Sequence, residues 1–186
     1  MKIIETEFSG LYIIEPMVFT DNRGYFFESY NQKQLKENKL VFKSLQDNES
    51  FSSGNVIRGL HYQLNPMAQA KLIRVIKGRI RDIALDMRIG SPTYGRWKAV
   101  DLDSEFKHQL FIPRGFAHGL SVLSHEAIIL YKCDNFYSPE YERGIAFDDP
   151  SLAIEWGIDP ALAMISEKDR NNPNFSEAEN NFEYML

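Results

Sequence analysis

The chain has 186 residues, of which 44% are hydrophobic and 13% aromatic, so a disordered chain is excluded and one folded domain spanning residues 1–186 is expected. Its net charge of −5 argues against a nucleic-acid-binding protein, because no cationic field would attract a polyanion. The single cysteine, Cys133, excludes an internal disulfide and fits a reducing compartment.

The N-terminus carries no sign of export. The first seven residues, MKIIETE, contain acids where a signal peptide would be apolar. No apolar run approaches the roughly 18 residues that a membrane helix needs. We therefore expect a cytoplasmic protein without a membrane segment.

Most of the chain is predicted to form short strands. A first apolar run, residues 10–15, ends at Pro16, and the turn sequence Asp21-Asn-Arg-Gly24 leads into an aromatic run at residues 25–27. Polar residues 32–38 favour a short helix. Further strands are predicted at residues 42–48, 56–63, 70–76, 79–86, 97–102, 108–112, 118–123 and 127–133. Such closely spaced strands indicate an antiparallel sandwich or barrel.

Local signals add three details. Lys77-Gly78 lies between two apolar runs and predicts a tight hairpin. A helical turn is expected at residues 160–164. The polar end, residues 171–181, is expected to be loose.

Alternation along the predicted strands places polar groups on apolar faces, since residues two apart share a face. His61 shares its face with Gln63, whereas Arg58 faces the other way. Lys71 shares a face with Ile73 and Val75. An inward lysine is costly without a partner, so it requires a buried carboxylate or a ligand oxygen that becomes negative.

Two more polar side chains follow the same pattern. His118 aligns with Leu120 and Val122, and Tyr131 aligns with Ile129 and Cys133. Each of these residues alone is more often a core residue than a catalyst, and a buried tyrosine hydroxyl needs a partner in either case. Two such histidines together with an inward lysine favour an active site.

The pattern Pro-x-Gly-x-x-His at residues 113–118 resembles the second motif of the cupin superfamily, a small β-barrel. The first cupin motif usually carries His-x-His and a downstream glutamate, whereas the corresponding segment here is His61-Tyr-Gln63. Zinc, iron or manganese sites generally use three or more His, Cys or carboxylate ligands. We therefore predict no metal site.

A closer resemblance joins several motifs in order, from about residue 20 to residue 169. The chain resembles the dTDP-4-dehydrorhamnose 3,5-epimerase family. The motifs are Arg58-Gly-Leu-His-Tyr-Gln63, Gln69-Ala-Lys-Leu-Ile-Arg-Val-Ile-Lys-Gly78, Ser91-Pro-Thr-Tyr-Gly95, Ile112-Pro-Arg-Gly-Phe-Ala-His-Gly119, Leu130-Tyr-Lys-Cys133 and Ser166-Glu-Lys-Asp169. The resemblance implies a mainly β, cupin-type (jelly-roll) antiparallel β-barrel with a few short peripheral helices. It also implies a homodimer that acts on a dTDP-linked 4-keto-6-deoxyhexose without a metal or organic cofactor.

The same resemblance implies roles for individual residues. His61 would be the base, Tyr131 the acid and Lys71 the group that stabilises the enolate oxygen, with Asp169 beside the catalytic histidine. The substrate-binding positions that it implies are Arg23, Phe26, Glu28, Gln46, Asn48, Arg58, His118, Glu142 and Lys168, of which the first three would reach the site of the partner subunit. Because alternation turns Arg58 away from His61, a bulge or a sharp twist is expected at Gly59.

The chemistry agrees with these roles. A ketone at carbon 4 acidifies the hydrogens at carbons 3 and 5, so one enolate-stabilising site serves both centres. Two alternatives remain open at this point. One is an enzyme of the same family that inverts a single carbon or uses another nucleotide-sugar. The other is a non-catalytic sugar-binding cupin, which would have no reason to keep Lys71, Tyr131 and His61 together.

Overall fold

The computed structural model describes residues 1–184. In this part of the chain no helix is long and apolar enough to cross a membrane. The first strands and the first helix are β1 (Lys2–Glu5), β2 (Tyr12–Glu15), β3 (Phe19–Asp21), β4 (Gly24–Phe26), α1 (Gln32–Glu37) and β5 (Gln46–Ser53). The remaining elements are β6 (Ile57–Gln63), β7 (Lys71–Lys77), β8 (Arg79–Asp86), β9 (Trp97–Asp103), β10 (Gln109–Ile112), β11 (Phe116–Val122), β12 (Glu126–Cys133), β13 (Glu142–Gly144) and α2 (Glu167–Arg170).

Two antiparallel sheets form the body of the fold. One has the order β1-β2-β10-β7-β12-β5 and the other β13-β6-β11-β8-β9, while β3 and β4 form a separate hairpin. A core cluster joins the two sheets, with Ile73 of β7 and Ile129 of β12 on one side and Ile80 of β8 and Leu120 of β11 on the other. This arrangement confirms the predicted mainly β, jelly-roll architecture.

Helix α1 confirms the helix expected at residues 32–38 and covers the outer face of the six-stranded sheet. Asn31 caps it by accepting a hydrogen bond from the backbone N–H of Gln34. Leu35 and Phe42 pack with Phe111 in the same cluster. The strand predicted at residues 42–48 is correct only at residues 46–48, because β5 begins at Gln46 and continues to Ser53.

The C-terminal segment covers the outer face of the five-stranded sheet. The expected helical turn is present as a 3-10 helix at Pro160–Leu162. Residues 171–181 are not loose, because Phe182 is buried against Tyr62, whose hydroxyl donates to the backbone carbonyl of Glu179. Asn181 also exchanges hydrogen bonds with Asn65. These contacts were not predicted, because the segment contains few apolar residues and its composition is typical of a loose chain end.

The hairpin predicted at Lys77-Gly78 is wrong. Strands β7 and β8 are consecutive in the chain but belong to different sheets, so the chain crosses between the sheets at this point. Gly78 has φ +81°, and a side chain there would clash with the backbone oxygen of Glu126. The glycine marks a sharp corner rather than a turn within one ladder.

The bulge expected at Gly59 is present. His61 lies opposite His118, whereas Arg58 lies opposite Leu120, so β6 has one residue more than β11 in this interval. Gly59 has φ +97°, and a Cβ on it would lie 2.6 Å from the carbonyl oxygen of His118. The extra residue breaks the alternation and brings Arg58 and His61 to one cavity.

Replacing Gly59 should be far more destabilising than replacing a glycine that has only an unusual φ. Gly59→Ala should lose about 1–2 kcal/mol for the positive φ and a further ~1–3 kcal/mol for the close contact with β11. Gly90→Ala is the matched control, because Gly90 has φ +86° and open space around it. Urea unfolding of both variants measures the difference. Equal losses would show that the approach of β11 does not constrain residue 59.

Candidate active site

A cavity of about 580 Å³ receives side chains from both sheets, a volume that suits a small-molecule ligand. The five-stranded sheet contributes Arg58 and His61 from β6 and His118 from β11. The six-stranded sheet contributes Asn48 and Ser50 from β5, Lys71 from β7, and Tyr131 and Cys133 from β12. The segment from Met164 to Asp169 completes the lining.

His61 is held by a buried carboxylate. Its Nε2 lies 2.6 Å from Oδ1 of Asp169, while Oδ2 of Asp169 accepts a hydrogen bond from the backbone N–H of Gly59. Burial alone would raise the pKa of Asp169, but the hydrogen bond and charge of His61 and the Gly59 amide lower it overall. One ring nitrogen of His61 is thus fixed by an anion, which leaves the other free to accept a proton.

The position of Asp169 depends on the short helix α2. Ser166 caps this helix by accepting a hydrogen bond from the backbone N–H of Asp169. Met164, just before the cap, forms a bridge with Val56 at the entrance to β6. The C-terminal segment is therefore attached to the strand that carries His61.

Lys71 is half-buried and places an ammonium in the cavity. It lies on the same face of β7 as the buried residues Ile73 and Val75, as alternation predicts. Burial lowers its pKa because the charged form is poorly solvated, and the charges of Cys133, Asp82 and Glu142 only partly oppose this. Within residues 1–184 Lys71 forms no salt bridge. A ligand oxygen with negative charge would supply the missing partner.

His118 is more deeply buried than His61. Its Nε2 lies 2.9 Å from Oδ1 of the fully buried Asp82, although this approach does not have the direction of a regular hydrogen bond. Burial lowers the pKa of His118, against the opposing effect of Asp82. The neutral form is therefore favoured. Its ring stands edge-on to that of Tyr131, with 6.0 Å between the ring centroids.

Tyr131 faces the cavity from β12. Its hydroxyl oxygen lies 3.0 Å from Oγ of Ser50 on the neighbouring strand. Burial raises the pKa of Tyr131 to about 12, although the hydrogen bond with Ser50 opposes the rise. The phenol therefore keeps its proton at neutral pH and is available as a proton donor.

The rest of the lining combines cations with hydrogen-bonding groups. Arg58 donates from Nε to the Ser52 hydroxyl at 2.9 Å and from Nη2 to the backbone carbonyl of Phe51 at 3.1 Å. Glu142 accepts a hydrogen bond from the Tyr137 hydroxyl at 2.6 Å and forms an ion pair with Lys168, also at 2.6 Å.

Comparison with known proteins identifies the family. The model of the dTDP-4-dehydrorhamnose 3,5-epimerase family matches residues 5–177. The dTDP-4-dehydrorhamnose 3,5-epimerase of Shigella flexneri is 50% identical over 182 residues, which are 96% of this chain and 98% of that protein. The chain belongs to the dTDP-4-dehydrorhamnose 3,5-epimerase family. Membership confirms the resemblance noted in the sequence, and with it the prediction of an epimerase.

Solved structures agree. The dTDP-6-deoxy-D-glucose-3,5-epimerase of Legionella pneumophila, in complex with dTDP-4-keto-L-rhamnose, is 43% identical with a TM-score of 0.90 over 95% of this chain and 93% of that chain. A 3'-monoepimerase of Streptomyces bikiniensis, in complex with dTDP-quinovose, is 30% identical with a TM-score of 0.87 over 93% of this chain and 87% of that chain. The predicted cupin-type fold is thus the fold of the epimerase family.

The cavity brings together most of the residues that the epimerase resemblance implied. The predicted residues in its lining are Asn48, Arg58, His61, Lys71, His118, Tyr131, Glu142, Lys168 and Asp169. Gln46 lies behind them and bonds to Asn48 and to the backbone of Tyr137. Arg23 and Phe26 are exposed on the β3–β4 hairpin, and Glu28 bonds to Asn31 and Gln34 near α1, so these three do not join the lining in the single chain.

Sequence reasoning missed Ser50, Tyr137 and Asp82. Ser50 follows Asn48 by two residues, so alternation places both on one face once β5 is extended to Ser53. Within residues 1–184 no three His, Cys, Asp or Glu side chains are grouped so as to hold a metal ion. Metal independence stays a prediction.

The pKa of Tyr131 can be tested directly. With tyrosine labelled at 13Cζ, the Tyr131 resonance should not move between pH 7 and pH 10, because its pKa of about 12 keeps the phenol neutral. In denaturing urea the same resonance should titrate near pH ~10, the ordinary tyrosine value. Tyr131→Phe assigns the signal. Titration of Tyr131 below pH 10 in the native protein would contradict a buried, neutral acid.

Proposed function

We propose that the protein inverts carbons 3 and 5 of dTDP-4-dehydro-6-deoxy-D-glucose to give dTDP-4-dehydro-L-rhamnose, without a metal or organic cofactor. One observation carries the proposal. His61 extends from the five-stranded sheet and Tyr131 from the six-stranded sheet, and both line one cavity. Inversion requires removal of a proton from one face of a carbon and delivery to the other, and groups from two facing sheets suit this task.

The proposed reaction begins with His61, which Asp169 orients. The free ring nitrogen of His61 takes the proton from carbon 3 or carbon 5, and the C–H electron pair moves into the enolate with charge on the oxygen at carbon 4. The Lys71 ammonium stabilises that oxygen. Tyr131 then delivers a proton to the opposite face. Proton transfer of this kind contributes about 10²–10⁴-fold, and one donor to a developing oxyanion about 10²–10³-fold.

The remaining cavity residues are proposed to bind the substrate. Arg58 and Lys168 supply positive charge for the diphosphate, and the Ser52 hydroxyl fixes the Arg58 guanidinium. His118 and Asn48 line the cavity from opposite sheets and are assigned to the sugar. Glu142 holds Lys168 in place. These few cations explain how a protein with net charge −5 binds a dianionic ligand.

The alternatives have less support. The 50% identity to a 3,5-epimerase against 30% to a 3'-monoepimerase favours inversion at both carbons. A non-catalytic sugar-binding protein would gain nothing from a half-buried ammonium without an ion-pair partner in the described chain.

We also propose a homodimer in which the β3–β4 hairpin completes the neighbouring site. All six residues of the hairpin strands are exposed, and they include the aromatic side chains of Phe19, Tyr25 and Phe26. Such an exposed aromatic surface suits burial against a second copy or stacking on a nucleotide base. Arg23, at the tip, would supply charge for the diphosphate and Glu28 a further ligand contact.

The reaction itself is tested in heavy water after exhaustive chelation, with no nicotinamide added. The substrate, dTDP-4-dehydro-6-deoxy-D-glucose, should acquire deuterium at carbons 3 and 5, and the configuration at both carbons should be inverted. His61→Asn should abolish deuterium uptake, because no enolate forms. Tyr131→Phe should still take up label but without inversion at one or both centres, because His61 returns a deuteron to the original face.

Each other outcome changes one part of the proposal. Label at a single carbon would make the protein a mono-epimerase. Activity restored only by a divalent ion would overturn cofactor independence. Rapid exchange by His61→Asn would assign the base to another residue, and normal inversion by Tyr131→Phe would remove tyrosine from the mechanism.

Lys71→Met should lower turnover much more than it weakens binding of free dTDP. The ammonium acts where charge develops on the ketone oxygen, so the loss should be about 10²–10³-fold in kcat with dTDP affinity changed less than about threefold. Lys33→Met on the exposed surface of α1 is the matched control and should match the unsubstituted protein. Parallel losses in turnover and dTDP binding would make Lys71 a phosphate-binding or structural residue.

The shared site predicts complementation between inactive chains. Arg23→Ala mixed with His61→Ala should regain activity, because in a hybrid dimer one cavity has an intact His61 and receives an intact Arg23. His61→Ala mixed with Lys71→Met is the control, since every cavity then lacks one residue. No recovery in the first mixture, with subunit exchange demonstrated, would show that Arg23 does not act across the dimer.

A further inference from the structure

A serine that the sequence motifs did not single out contacts the proposed acid. Ser50 lies on β5, opposite Ile129 of β12, and is therefore the diagonal neighbour of Tyr131, which lies opposite Asn48. Its Oγ is 3.0 Å from the Tyr131 hydroxyl oxygen, and both residues line the cavity. Such diagonal pairs on adjacent strands are within reach when one side chain is aromatic.

The geometry allows either hydroxyl of this pair to be the donor, and the proposed role of Tyr131 as the acid decides between the two directions. Among residues 1–184 neither hydroxyl has a second hydrogen-bond partner. If Tyr131 donated to Ser50, its proton would point away from the substrate and would not be in place for delivery. If Ser50 donates to Tyr131, the serine proton is satisfied and the tyrosine proton remains available to the ligand.

We propose that Ser50 is a positioning residue that donates a hydrogen bond to the Tyr131 oxygen, fixes the direction of the tyrosine O–H bond and stabilises the phenolate left after proton delivery. This inference rests on the proposed function. Tyr131 gives up its O–H proton, the enolate electron pair forms the new C–H bond, and the negative charge left on the phenol oxygen is shared with the Ser50 hydroxyl. Before the second carbon reacts, and again before the next turnover, His61 gives its proton to solvent and Tyr131 takes a proton from solvent.

The surroundings of Tyr131 make such a donor necessary. Burial raises the pKa of its phenol to about 12, so the phenolate form is unfavourable, and Ser50 is the hydrogen-bonding group that opposes this rise, with a smaller contribution from the charge of Arg58. Hydrogen bonds to charged groups are about twice as strong as those between neutral groups. The contact with Ser50 therefore strengthens as the proton leaves, and it stabilises the transition state more than the ground state.

A second serine of β5, Ser52, also contacts a side chain of the cavity. Ser52 lies on the same face as Ser50, is buried, and accepts the hydrogen bond from Nε of Arg58. Ser53 points to the other face and is exposed. The inward serines of β5 thus contact two groups of the site, whereas the outward serine contacts none in the described chain.

The test compares Ser50→Ala, Ser50→Thr and Ser53→Ala with the unsubstituted protein, using the dTDP-linked 4-keto sugar in heavy water. Ser50→Ala should lower the rate of inversion by about 10- to 100-fold, the effect of losing a hydrogen bond to a charged group. Deuterium uptake, which needs His61 and Lys71, should fall by less than about threefold, and KM should stay unchanged. Ser50→Thr retains a hydroxyl and should recover most of the inversion rate. Ser53→Ala should have no effect.

A spectroscopic measurement separates this inference from the reaction itself. The 13Cζ resonance of Tyr131 at pH 7 should shift in Ser50→Ala and not in Ser53→Ala, whether or not substrate turns over. Absence of turnover in the unsubstituted protein would overturn the proposed function. Normal inversion by Ser50→Ala, or equal losses of inversion and deuterium uptake, would overturn the role of Ser50 alone, as would an unshifted Tyr131 resonance.

Discussion

A half-buried ammonium without a carboxylate partner among residues 1–184 is the constraint around which the cavity is built. Lys71 extends from a strand whose neighbouring inward residues, Ile73 and Val75, belong to the core between the sheets. Its position is therefore as rigid as that core. Charges interact more strongly away from bulk water, so the ammonium stabilises an oxygen that gains negative charge inside the cavity more than it would in solution. A charged side chain lies on this apolar strand face because the proposed chemistry needs a preorganised cation.

The proposed acid and base extend from different sheets, and a second side chain contacts each of them. Asp169 fixes His61 through a helix cap and the backbone of the Gly59 bulge, so the C-terminal segment, the bulge and the base form one unit. Among residues 1–184 the Tyr131 hydroxyl is hydrogen-bonded to Ser50 alone. A carboxylate stabilises a base that becomes positive, whereas a neutral hydroxyl donor suits an acid that becomes negative. The two supports therefore match the charges that the two groups acquire.

Residue patterns within one strand were predictable, and relations between strands were less so. Alternation correctly placed Lys71 and Tyr131 on buried faces. The corner at Gly78 looked like a hairpin, because turn chemistry reports a reversal of direction but not the sheet that the next strand joins. The position of Arg58 in the cavity depends on the bulge at Gly59, which alternation within the strand does not predict. Arg23, Phe26 and Glu28 entered only through family resemblance, and the fold of one chain leaves them outside the cavity.

Two histidines line the cavity, each close to an aspartate, and the differences between the two pairs indicate which histidine is the base. His61 is partly exposed to the cavity, and its short contact with Asp169 involves a carboxylate that is also held by a backbone amide. Such a base can gain charge, because its partner is an anion with a lowered pKa. His118 is enclosed, its contact with Asp82 is poorly directed, and burial lowers its pKa. Protonating His118 would place a cation close to Lys71 in a dry region, which favours a neutral His118 that binds the sugar and leaves proton abstraction to His61.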